Sequence, residues 1–178
     1  MNTSELIFQL QKITIENQDF VKELLQKSEQ ELNHRKNENS WSVLECIEHL
    51  NLYGDFYLSE IKLALQKASK PTKSTFKSGF LGGYFVRMIQ PKAKKNKMKT
   101  ISSMNPIGKQ LNKSCLEKFI DQQTELLDLL QQAHNVDLTK VKTKTSISKF
   151  IKLRLGDTLQ FVVFHNQRHI LQVRALLR

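Results

Sequence analysis

Apolar residues recur three or four positions apart through four separate segments of this chain, and that period constrains the fold more than any other feature. A stripe at helical spacing has to be buried against another element, and four such stripes bury one another most simply as a helix bundle. Glycine and proline number only 6 and 3 among 178 residues, so the segments run with few breakers. The expected fold is therefore all-α, an up-and-down-type four-helix bundle, and the length suits a single domain over residues 1–178.

The first segment runs from about Ser4 to His34, with Leu6, Leu10, Ile13, Phe20, Leu24 and Leu32 along its stripe and Ser4 or Thr3 as its cap. The second opens at Ser42, where Ser42 and Glu45 have the spacing of a capping box, and continues through Ile47, Leu50, Tyr57, Ile61 and Leu65. The third spans about Asn112 to His134. The fourth starts near Gly156-Asp157 and continues through Leu159, Val162 and Val173, with Asp157 suited to cap it. Ser148 to Leu155 reads as a turn or short helix leading into it.

Between the second and third segments, over about residues 70–110, lies a crossover with all three prolines and many lysines. A structureless link of that length is uncommon in a compact domain, so Gly79 to Gln90 is expected to form a short helix across the bundle. The net charge of +11 is concentrated here: residues 61–116 carry 13 basic side chains and no acidic one. Lys92, Lys94, Lys95, Lys97 and Lys99 follow the apolar run Phe80 to Val86. A solvated crossover, a segment lying on an anionic membrane surface, and a nucleic-acid contact all fit that pattern. The near absence of arginine and of interleaved aromatic residues weighs against nucleic acid.

His165 and His169 stand at i and i+4 on the fourth segment, so both imidazoles leave one face, and that face is the apolar one. A buried histidine pair needs hydrogen-bond partners or a ligand, and a metal ion satisfies both rings. His49, among apolar residues of the second segment, can meet them inside a bundle. Three converging imidazoles suit zinc, nickel or a similar divalent ion. The plainer reading of His49 is a core histidine satisfied by a hydrogen bond.

At this point the sequence resembles a known family. Trp41 to Leu50, with its Trp-Ser pair ahead of a helix bearing His49, is similar to the start of the second helix in DinB-like proteins. Gly156 to His169 is similar to their last helix. The resemblance implies a four-helix bundle and a metal held by His49, His165 and His169. It also implies the chemistry of members that are metal-dependent S-transferases of low-molecular-weight thiols, or hydrolases. Three protein ligands leave a position open for thiol or water, as in catalytic rather than structural zinc sites.

Other residues carry weaker signals. Glu45 offers a carboxylate to His49, although its capping role already explains it. Gln172 is placed to touch a bound water, Trp41 to pack at a helix start or line a pocket, and Cys46 to act as a small apolar residue or a fourth ligand. His34 and His134 fall at helix ends. No phosphate-binding loop, Cys-x-x-Cys pair or Ser-His-Asp order is present. Cysteine usage and an N-terminus unlike a signal peptide suggest a cytoplasmic protein. The alternative to an enzyme is a non-catalytic bundle, a homodimer through an exposed helix face, that binds an anionic partner with its basic segment.

Overall fold

A computed structural model describes residues 1–69, 71–91, 100–148 and 150–178. Among them are six α-helices, where four long ones and a short crossover helix were expected: α1 (Thr3–Leu24), α2 (Glu29–Asn33), α3 (Val43–Gln66), α4 (Phe80–Ile89), α5 (Ser114–Ala133) and α6 (Leu155–Leu176). The four long ones are those the periodicity marks. The first segment breaks in two because Ser28 and Glu31 form a capping box that starts α2 afresh, with the Glu31 amide 3.2 Å from the Ser28 hydroxyl. Asn2, rather than Thr3 or Ser4, caps α1, its side-chain oxygen accepting from the amides of Ser4 and Glu5. The capping box of α3 forms as the sequence indicates, with the Ser42 amide 2.8 Å from the Glu45 carboxylate. The crossover helix also forms, as α4.

Residues ahead of α6 are extended rather than helical. Strand β2 (Lys152–Arg154) pairs antiparallel with β1 (Lys142–Lys144), with Thr143 opposite Leu153 and both side chains buried. Alternation of exposed lysine with buried Thr143 and Leu153 is the two-residue period of a half-buried ribbon. Asp157 does not cap α6. Its buried carboxylate reaches across to the start of α4, accepting from the Ser78 hydroxyl and, at 2.9 Å, from the Gly79 amide.

Two hydrophobic clusters show how the long helices run. One joins Leu6 and Leu10 of α1 to Ile61 and Leu65 of α3, Leu126 and Leu130 of α5, and Leu155 and Leu159 of α6. The other joins Val21 and Leu24 to Leu44 and Ile47, Leu116 and Phe119, and Ile170 and Val173. The start of α1 thus shares an end of the bundle with the start of α6 and with the finish of α3 and α5. The order is up, down, down, up, not the alternating up-and-down path expected. Helices α1 and α3 each pack against both α5 and α6. The crossover explains the difference. It returns the chain along α3, whose 24 residues span about 36 Å, before α5 begins in the same direction. Helix α4 packs on α6 and β2 along that return path, burying Val86 and Ile89. No helix among the described residues is long and apolar enough to cross a membrane.

Candidate metal centre

Because α3 and α6 are antiparallel neighbours, the first half of one faces the second half of the other, and the three histidines meet there. Each imidazole of His49, His165 and His169 offers a nitrogen, and the three nitrogens lie within 4.8 Å of one another. The Nε2 atoms of His49 and His165 are 3.3 Å apart. Two nitrogens bound to one tetrahedral zinc stand about 3.4 Å apart, so this pair already has ligand spacing. His49 and His165 are buried, His169 half-buried.

The second nitrogens of His49 and His169 are engaged. Nδ1 of His49 is 2.6 Å from the backbone oxygen of Met104, in the short 3-10 turn Ser102–Met104 of the crossover. A carbonyl oxygen only accepts, so the proton of neutral His49 sits on Nδ1 and its Nε2 keeps a lone pair aimed at the cluster. Gln172 does the same for His169, its Oε1 lying 3.0 Å from Nδ1. It therefore touches the ring itself. Tautomers fixed from outside in this way are what metal-binding histidines require.

Burial is the main cause holding all three imidazoles neutral. It lowers His49 to about 4 although the Met104 contact works the other way. Burial and the charge that His49 would carry bring His169 to about 3. Burial, then the neighbouring His169 and His49, place His165 well below its ordinary 6.5. Near neutral pH the cluster thus presents lone pairs with no proton to displace, and the donor set fits a borderline divalent ion.

Aromatic rings wall the cluster. Trp41 lies 4.7 Å from His49 and 5.8 Å from His169, ring centre to ring centre, and its indole N–H donates to Asn105. Tyr53 lies 4.9 Å from His49 and 4.5 Å from His165, and Phe161 stacks on His165 at 5.7 Å. These residues and the histidines line a cavity of about 860 Å³, which Phe85 and Met88 of α4 and Ile147 of the hairpin turn help enclose. Sequence reading missed Tyr53 and Phe161. Each stands four positions from a cluster histidine on the same helix, so the spacing that paired His165 with His169 could have found them.

Glu45 is not the partner of His49. Its buried carboxylate accepts from Arg35, from the Ser42 amide, and at 2.7 Å from the Gly108 amide. Burial alone would raise its pKa, but these contacts together lower it. Glu45 thus ties the crossover to α3 near the segment that carries Met104. Cys46 lies in the apolar cluster behind the site, not among the ligand candidates, and burial pushes its thiol up to about 12. His34 and His134 end α2 and α5. Lys92, Lys94, Lys95, Lys97 and Lys99 lie outside the described residues.

Fold and site together define a helical bundle in which two antiparallel helices bring a metal-competent histidine triad to the wall of a cavity. The chain belongs to the DinB superfamily, whose sequence model matches residues 13–173 and so takes in all three histidines. No curated protein and no solved structure matches it.

Proposed function

We propose that this chain is a metal-dependent enzyme in which His49, His165 and His169 hold one divalent ion, zinc or nickel, at the floor of the cavity. The observation that carries the reading is the triad of neutral imidazoles, two with externally fixed tautomers, opening on a cavity of about 860 Å³. The ion would act as a Lewis acid that lowers the pKa of a thiol or water in an open position, giving a nucleophile at neutral pH. The chain's own residues supply the rest. Met104 and Gln172 keep protons on Nδ1 and lone pairs on the opposite nitrogens. Trp41, Tyr53 and Phe161 exclude bulk water from the reacting atoms. Arg168 lines the same cavity, and its positive charge, which helps hold His165 and His169 unprotonated, favours an anionic nucleophile there. The substrate class consistent with these features is a low-molecular-weight thiol transferred to an electrophile, or a bond hydrolysed by water.

Elemental mass spectrometry on untagged protein, beside a variant with all three histidines changed to Ala, tests the reading. About one zinc or nickel per chain, lost in the variant, is the expected result. Equal metal in both proteins would overturn it, as would none in the wild type after reconstitution.

A further inference from the structure

Large apolar side chains are left exposed on α4 and on the β1–β2 turn, two elements that also contribute residues to the cavity wall. On α4, Phe80, Leu81 and Tyr84 face outward while Phe85 and Met88 of the same helix line the cavity. On the turn joining β1 to β2, Ile147 is both exposed and part of the cavity wall, and Phe150 stands free of packing. Phe80 is 94% exposed and Phe150 97%, values at which neither ring contributes to the core. Helix α4 packs against β2, so the helix and the hairpin are neighbours on the surface. Soluble proteins rarely leave such a patch without a use.

The charge of these two segments points to the partner. Residues 61–116 and 138–156, which supply α4 and the hairpin, contain no acidic side chain, and together they carry 19 basic ones, 13 in the first stretch and 6 in the second. Among the described residues, Lys77 and Arg87 flank the outward face of α4, and Lys142 and Lys152 point outward from the hairpin. Lys144, by contrast, is paired with Glu60. Exposed aromatic rings set among cations, with no carboxylate in the segments that carry them, complement an anionic lipid surface, where the rings enter the headgroup layer and the cations meet phosphate.

We propose that the face formed by α4 and the β1–β2 hairpin docks on anionic phospholipid bilayers, with the cavity mouth set at headgroup level. The docking does not depend on a metal, since none of its residues belongs to the histidine cluster. Sedimentation of the full chain with vesicles of phosphatidylcholine alone, and of equimolar phosphatidylcholine and phosphatidylglycerol, tests it. Binding is expected on the anionic vesicles only, falling as salt is raised. Phe80→Ser with Phe150→Ser, substitutions that remove no packing, should weaken binding about tenfold or more. Lys142→Glu with Lys152→Glu should weaken it by at least as much. Wild-type chain left in the supernatant with anionic vesicles would overturn the proposal, and so would both variants binding as the wild type does. A wild-type dimer that the Phe80→Ser, Phe150→Ser variant dissolves, without vesicle binding, would also overturn it and assign the patch to a second copy of the chain.

Discussion

The backbone oxygen of Met104 lies 2.6 Å from Nδ1 of His49, so a residue in the crossover decides which nitrogen of a residue in α3 keeps its lone pair. The crossover is held in reach by the Gly108 amide on Glu45 and by the indole of Trp41 on Asn105. The longest connection in the fold thus takes part in setting the chemistry of the triad.

That division of labour separates side chains from backbone. Gln172→Leu should weaken zinc or nickel binding by about 10- to 100-fold while leaving the fold intact, because His169 loses the acceptor that orients it. Met104→Ala should change affinity far less, since Met104 acts through its main-chain oxygen. Competition against a chromophoric chelator measures both. Equal affinity for Gln172→Leu and wild type would remove Gln172 from the site.

The metal-free chain should lose stability on mild acidification. The native imidazoles titrate below the ordinary 6.5, so the unfolded chain binds protons first as pH falls. Stability from this source is full above about 6.5 and declines until the native groups protonate, near 4 for His49 and near 3 for His169. His49 alone accounts for roughly 3 kcal/mol across that window. Urea midpoints of chelator-treated protein should therefore fall from pH 6.5 downward. The triple histidine-to-Ala variant should stay flat until the carboxylate range, where Glu45 protonates below its ordinary 4.5. A variant as acid-sensitive as the wild type above that range would refute the assignment.

Both cysteines should be inert in the native chain. Burial pushes Cys46 and Cys115 each up to about 12, and neither reaches the cavity. A disulfide-exchange reagent should find no fast-reacting thiol at neutral pH and two after denaturation. Cys46→Ala should leave metal content unchanged, at a stability cost of about 1 kcal/mol for the lost packing. Lost metal in that variant would bring Cys46 back as a ligand.

Gly82 marks the seat of α4 on α6. A Cβ there would overlap the Asp157 carboxylate, which already accepts from Ser78 and Gly79. Gly82→Ala should displace that buried carboxylate and destabilise the chain by about 2 kcal/mol or more in urea. With no clash at the histidines, metal stoichiometry should persist. A neutral effect on stability would mean that α4 shifts freely on α6.

Much of this architecture was legible because helix periodicity and caps are local properties. The stripes of α1, α3, α5 and α6, the Ser42–Glu45 box and the crossover helix follow from residues a few positions apart. The same logic also misled: Asp157 has the chemistry of a cap, but its carboxylate went to α4, a choice made by a neighbour 79 positions away in sequence at Ser78. The three-residue strands on either side of the turn are too short to show a period, so the hairpin went unread.

By itself the sequence determined that four amphipathic helices would form, that His165 and His169 would share a face, and that the positive charge would gather in the middle of the chain. The tertiary structure decided the rest. It set the up, down, down, up order that makes α3 and α6 antiparallel neighbours, brought His49 across to the pair, and placed the Met104 oxygen and the Tyr53 and Phe161 rings around them. The reason is physical: spacing along a helix fixes which side chains share a face, whereas which faces meet depends on burying every apolar stripe at once.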